Sequence, residues 1–163
     1  MEHPLAVQLG GSEAEKLGPA AALCEQYGGF SEINLNVGCP SRKVSEKCFG
    51  ASLMLEPERV REITYAMGRH ATRTPITVKC RLGVDSHDSY EELVHFLMTV
   101  RSAGVDHFIV HARKALLGGV STAGNRSIPP LRKDWVHRLR REYPDLTIVL
   151  NGGELLLHHN ISL

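Results

Sequence analysis

Short apolar runs alternate along the chain with longer segments in which apolar residues recur every three or four positions. The runs predict β-strands at 4–9, 30–36, 75–79, 106–111 and 146–151. The longer segments predict helices from Ser12 to about Tyr27, from Glu56, from Ser89 to Gly104, and from Leu131 to about Tyr143. Two of these helices begin with the Ser-x-x-Glu spacing of a capping box, at Ser12 and at Ser89. The pattern therefore predicts a strict alternation of five strands and four helices.

Such alternation is typical of a parallel sheet with right-handed crossovers. The strands are apolar throughout, so we expect the first strand, and the sheet as a whole, to be buried on both faces. Polar residues stand at or beside the strand ends, namely Gln8, Asn36, Lys79, His111 and Asn151. In a parallel sheet these ends share the edge where α/β enzymes place their active sites. One such residue alone is more often a turn former, but five together predict a common site.

Length and composition restrict the class of protein. The chain has 163 residues, 42% hydrophobic and 23% charged, as in one globular domain. It has no membrane-spanning run and no secretory signal, so we expect a cytoplasmic protein, or an organellar one if a transit peptide is missing. Its four cysteines lack CxxC spacing, so we expect no metal site. Because a complete (β/α)8 barrel needs at least about 200 residues, this length excludes a closed barrel.

Charge is distributed unevenly along the chain. The net charge is +1, yet residues 111–141 hold eight Lys or Arg against one acid, while the other residues hold eleven bases and seventeen acids. Composition alone favours a solvated basic helix face for this segment, and a cationic binding surface is the alternative.

Cys39 and Lys79 are candidates for covalent or proton-transfer chemistry. Cys39 follows the second strand on a Gly-Cys-Pro turn, where a thiol can act as nucleophile or proton donor, or pack as a small apolar residue. The motif contains no histidine, which disfavours a Cys–His hydrolase. Lys79 can form a Schiff base with a carbonyl substrate or hold negative charge on a cofactor.

His111, Arg113 and Lys114 stand close together and suit an anion such as phosphate, although a core histidine is an equal alternative for His111. The turn 151–153 offers backbone amides to an anion with no Cβ in the way. The chain has neither a GxGxxG nor a P-loop motif.

Eight segments resemble, in order, the tRNA-dihydrouridine synthases. They are QLGG (8–11), EINLNVGCPS (32–41), FGASLM (49–54), ITVKCRLG (76–83), DSYEEL (88–93), FIVHARKA (108–115), NRSIPPL (125–131) and LTIVLNGG (146–153). HARKA followed by NRSIPPL resembles the subfamily that reduces uridines of the tRNA D-loop.

The resemblance implies a (β/α)8 barrel that binds FMN at its carboxyl face and uses NADPH as reductant. In that family the reduced flavin passes hydride to C6 of uracil, and a cysteine, here Cys39, protonates C5. The implied flavin contacts are Gln8, Lys79, His111, Asn151, Gly152 and Gly153. Asn36 matches the residue beside the uracil, and Arg81, Arg113 and Lys114 match positions near the substrate or its backbone. The cationic segment then gains tRNA as a partner.

By the same resemblance the five strands are the third to seventh of eight. Residues 1–153 form a partial FMN-binding barrel domain, and residues 154–163 form a divergent tail. A barrel fragment with open edges is expected to self-associate and to be weakly active or inactive alone. Two other functions stay open: a non-catalytic tRNA-binding remnant, and a Schiff-base lyase that uses Lys79.

Overall fold

The computed structural model describes residues 4–41 and 48–153, so the predicted tail 154–163 lies outside the described residues. The strands are β1 (Ala6–Leu9), β2 (Glu32–Val37), β3 (Ile76–Arg81), β4 (His107–His111) and β5 (Thr147–Asn151). The helices are α1 (Ala14–Tyr27), α2 (Pro57–His70), α3 (Tyr90–Arg101) and α4 (Lys133–Glu142). Two 3₁₀ segments, Gly50–Leu55 and Gly124–Arg126, precede α2 and α4. The predicted alternation is confirmed.

All five strands are parallel, and each pairs with the next one along the chain, in the order β1-β2-β3-β4-β5. Right-handed connections in an order that never reverses place every helix on the same side of the sheet. A doubly wound sheet would reverse its order at a switch point. The topology is therefore that of consecutive βα units in a (β/α)8 barrel, as the resemblance implied.

The two faces of the sheet differ in polarity. The face beneath the helices is the core, with Leu35, Val78 and Phe108 completely buried. The opposite face, called the inner face below, carries polar residues in the middle strands and is partly open in the described chain, where Val149 is 41% exposed. The prediction that the sheet is buried on both faces was wrong.

The outer strands show the same departure. The residues of β1 alternate between exposed and half-buried, and β5 buries only Ile148. Apolar composition suggested a buried first strand, but only one face of β1 lies against a helix layer. Strands β1 and β5 are the outer strands of the described sheet. Self-association through these edges stays a prediction.

Helix starts follow the local chemistry in one case and not in the other. At α3 the capping box is confirmed, since the Glu92 amide donates to the Ser89 hydroxyl at 3.2 Å and the Ser89 amide donates to the Glu92 carboxylate at 3.0 Å. At α1 it was wrong, because Glu13 takes the N-cap position with no side-chain cap and leaves Ser12 one residue too early. Helix α4 starts at Lys133, two residues after the predicted start. None of the described helices combines the length and apolarity needed to cross a membrane.

Candidate active site at the carboxyl edge of the sheet

A cavity of about 430 Å³ lies at the carboxyl edge of the strands. Its lining residues are Gln8, Asn36, Gly38, Cys39, Pro40, Lys79, Arg81, His111, Thr122, Arg126, Asn151, Gly152 and Gly153. The structure thus brings together every predicted site residue except Arg113 and Lys114.

The strand register explains this convergence. Asn36 lies opposite Lys79, and one step further along the sheet Arg81, His111 and Asn151 lie opposite one another on β3, β4 and β5. Residues opposite one another in a parallel sheet point to the same face. The side chains of these residues therefore project from the inner face of the sheet.

The turn that carries Cys39 is fixed by hydrogen bonds to its backbone. The Asn36 side-chain oxygen accepts from the amides of Gly38 and Cys39, at 3.1 and 3.0 Å. The Cys39 carbonyl accepts from the Ala51 amide at 2.9 Å, which ties the turn to the first 3₁₀ segment. Cys39 is half-buried in this turn and lines the cavity.

A chain of side-chain amides supports Asn36 in turn. Asn36 donates to Gln8 at 2.9 Å, Gln8 donates to Asn34 at 2.8 Å, and Asn34 donates to the Thr77 hydroxyl at 2.8 Å. Because the Asn36 oxygen receives two backbone amides, its nitrogen must donate, and this fixes the direction of the whole chain. Asn34 is 3% exposed on the inner face. Sequence reasoning missed Asn34 because it lies inside a strand rather than at its end.

The four thiols have different surroundings. Cys80 points into the core, and burial raises its pKa to about 12, so it stays a thiol at neutral pH. Cys24 is half-buried on α1, and Cys48 is exposed. Of the four, Cys39 is the one that lines the cavity.

Lys79 and His111 are both less basic than usual. The Lys79 ammonium donates to the Asn151 side chain at 3.1 Å, and its burial lowers its pKa. Burial, together with the positive charges of Arg81 and Lys79, lowers the pKa of His111 to about 4. His111 is therefore neutral at pH 7. Its Nε2 atom is buried and has no hydrogen-bond partner among the described residues.

Gly152 leaves room beside that nitrogen. A Cβ at this position would lie 2.8 Å from His111 Cδ2 and 3.0 Å from Nε2. The backbone of Gly152 also has a φ of +115°, which other residues rarely adopt. The glycine is required here both by its conformation and by the imidazole.

The cavity has a positive electrostatic character. Lys79, Arg81 and Arg126 line it, and no carboxylate does among the described residues. Backbone amides and cations without an opposing acid favour an anionic ligand. Within 4–41 and 48–153, no cluster of three His, Cys, Asp or Glu residues is arranged to hold a metal ion.

Arg113 and Lys114 lie outside the cavity and bond to loops. Arg113 donates to the carbonyls of Ser127 and Pro129. Lys114 donates to the Asp85 carbonyl at 2.8 Å and forms an ion pair with Asp88 at 2.9 Å. Their contact with a substrate stays a prediction.

The loop after β4 supplies residues that sequence reasoning missed. Asn125 is completely buried, and its side chain makes paired hydrogen bonds with the Leu116 amide and carbonyl, at 2.7 and 2.9 Å. This bracing holds the second 3₁₀ segment so that Thr122 and Arg126 line the cavity. The NRSIPPL motif contains Arg126, but a loop has no periodicity from which its side-chain directions follow.

Part of the cationic segment is neutralised by acids from elsewhere in the chain. Asp88 lies 3.6 Å from Arg132 as well as beside Lys114, and Arg138 pairs with Glu142 at 2.6 Å. Within the described residues Arg126, Arg140 and Arg141 form no ion pair. The positive surface is therefore narrower than its composition suggests.

A singly wound parallel sheet with a cationic, thiol-lined cavity at its carboxyl edge defines an α/β domain of the barrel type. The family model described as dihydrouridine synthase (Dus) matches residues 1–159. The chain belongs to the dihydrouridine synthase family, and the predicted resemblance is confirmed.

Curated relatives carry the name tRNA-dihydrouridine(20/20a) synthase. The protein from Xanthomonas axonopodis pv. citri is 54% identical over 153 residues, which is 94% of this chain and 45% of that protein. The Shewanella oneidensis protein is 53% identical over 152 residues, or 93% of this chain and 45% of that protein. The Synechocystis protein is 49% identical, with the same coverage of both chains. This chain thus spans somewhat less than half the length of these relatives.

Proposed function

We propose that the cavity is the active site of a tRNA-dihydrouridine synthase. The enzyme reduces uridine to 5,6-dihydrouridine in the tRNA D-loop, with FMN as cofactor and NADPH as reductant. The observation that carries this proposal is the meeting of a thiol, a lysine, a histidine and a glycine turn in one cavity. The names of the curated relatives support the same substrate.

The residues present fit a flavin phosphate group. The unpartnered Nε2 of neutral His111 offers a donor or an acceptor, and the bare backbone at Gly152 leaves space against it. Lys79 has donors beyond the one it gives Asn151, so it can hold the anionic edge of the cofactor. When bound and reduced by NADPH, FMN supplies the hydride that adds to C6 of the uracil.

Cys39 supplies the proton that completes the reduction. Its Sγ–H bond breaks, the proton adds to C5, and the thiolate that remains takes a proton from water. The Asn36 bonds to the turn hold the thiol in place before the substrate arrives. A thiol that acts as an acid needs no partner base to deprotonate it beforehand.

The substrate base must leave its stack to reach a cavity at the sheet edge. Arg126 at the cavity, and Arg140 and Arg141 on α4, are available to bind RNA phosphates. Binding through such contacts weakens as salt is added.

The test is to add FMN to the purified chain and record its visible spectrum, then to measure NADPH-dependent dihydrouridine formation in tRNA. We expect bound flavin and at most weak turnover, and Cys39→Ala should abolish that turnover while flavin binding persists. Cys24→Ala is the matched control and should leave both unchanged. Absence of flavin binding, or full turnover by Cys39→Ala, contradicts the proposal. Salt-sensitive tRNA binding with no flavin would instead indicate a non-catalytic remnant.

One observation favours a second candidate, a Schiff-base lyase. Burial lowers the pKa of Lys79, which increases the neutral amine needed to attack a carbonyl. Borohydride treatment with a carbonyl substrate, in the absence of flavin, would then trap an adduct on Lys79. Lys79→Arg is the control that keeps the charge and forms no adduct.

A further inference from the structure

Arg81 is a buried cation whose hydrogen-bond partners, among the described residues, are all backbone carbonyls. The residue is 4% exposed. Its Nε donates to the Gly38 carbonyl at 3.0 Å, and its Nη1 donates to the carbonyls of Lys114 and Asn125 at 3.1 and 2.9 Å. Burial lowers the pKa of Arg81 to about 10, so the guanidinium remains charged at neutral pH.

These carbonyls belong to segments that the sheet register does not align. Gly38 precedes Cys39 in the turn after β2, whereas Asn125 precedes Arg126 in the second 3₁₀ segment. Both segments line the cavity, and each lies beyond the end of a strand. Arg81 projects from the end of β3, the strand between them, and bonds to both.

We infer that Arg81 is a positioning residue that fixes the Cys39 turn relative to the Asn125 loop, acting through backbone carbonyls. Hydrogen bonds from a charged donor to carbonyls are stronger than neutral ones, and their loss leaves buried acceptors unsatisfied. This inference deepens the proposed function, since it concerns the placement of the proposed proton donor. The coupling of the two segments can nevertheless be measured without flavin or RNA.

The test is amide hydrogen exchange in the full chain, without flavin or RNA, for wild type and Arg81→Ala. The reporters are the Ala51 amide, which donates to Cys39, and the Leu116 amide, which donates to Asn125. We expect exchange at both to accelerate by about tenfold or more, because the segment that each reporter is bonded to loses its hydrogen bond from the Arg81 guanidinium. Amides in α1 should keep their wild-type rates. Methylguanidinium, which can refill the vacated site, should slow both reporters again, while methylammonium should not.

Arg113→Ala is the matched control from the same loop. Among the described residues, the Arg113 side chain donates to Ser127 and Pro129 of that loop and not to the Cys39 turn. Arg113→Ala should therefore accelerate exchange at Ile128 and leave Ala51 unchanged. If Arg81→Ala does not fold, Arg81→Lys serves instead and should accelerate both reporters, since one ammonium cannot span the same three carbonyls.

Unchanged exchange at Ala51, or equal acceleration throughout α1, would overturn the inference. Lower tRNA affinity with unchanged exchange would also overturn it, because Arg81 would then act as a substrate contact. A chain that binds no flavin yet shows the coupled exchange would refute only the proposed function.

Discussion

The low pKa of His111 makes the stability of the fold depend on pH. An unfolded histidine titrates near 6.5, whereas His111 in the folded chain titrates near 4. The unfolded state therefore binds the proton more readily. The contribution of neutral His111 to the free energy of unfolding is fully present above about pH 6.5 and is lost as the pH decreases towards 4. At about 1.4 kcal/mol per pKa unit, the full loss is about 3 kcal/mol, of which about 2 kcal/mol falls between pH 7 and pH 5.

His111→Gln removes this titration while keeping a polar side chain of similar reach. Urea unfolding of both proteins at several pH values gives the free energy of unfolding at each. We expect the variant to lose about 2 kcal/mol less than wild type between pH 7 and pH 5. The comparison of slopes cancels the other titrating groups and any constant cost of the substitution. Equal slopes would refute the reasoning, because burial and neighbouring charge would then not be setting this pKa.

Three further outcomes are expected. Gly83→Ala should destabilise the fold by about 3 kcal/mol in urea unfolding, because its Cβ would lie 2.3 Å from a backbone carbonyl oxygen; an unchanged midpoint would contradict this. Gly152→Ala should weaken FMN binding by about tenfold or more in a fluorescence titration, since its Cβ would contact His111. Gly153 also has a positive φ, but a Cβ there would lie in open space. An equal effect of Gly153→Ala would therefore assign the loss to backbone strain alone. Arg141→Gln should lower the salt dependence of tRNA binding by about one unit of log-log slope, and an unchanged slope would exclude a phosphate contact.

The fold and most of the site could be predicted because the sequence shows where each strand ends. Apolar runs mark the strands, and once the sheet is parallel, Lys79, His111 and Asn151 must reach the same edge. The Gly-Cys-Pro turn places Cys39 there by adjacency alone. None of these inferences needs knowledge of side-chain direction beyond the strand.

Other features depend on contacts between distant parts of the chain. Whether Arg113 faces the cavity or the Pro129 carbonyl is decided by a loop with no repeating pattern. The burial of Asn34 follows from neighbours on β1 and β3, and a lone strand asparagine gives no sign of them. The capping box predicted at Ser12 was wrong because the Ser-x-x-Glu motif begins one residue before Glu13, which is the N-cap of α1.

The direction of the amide chain has a consequence for how this site can evolve. Each of Gln8, Asn34 and Asn36 donates with its side-chain nitrogen and accepts with its side-chain oxygen. A carboxylate at one of these positions could not donate, so the oxygen of the next residue in the chain of amides would lose its hydrogen bond. Single replacements are therefore penalised, while a compensating change at the adjoining link restores the pairing. Across a large set of natural sequences, positions 8, 34 and 36 should vary together or not at all, although two of them lie on one strand and the third on its neighbour.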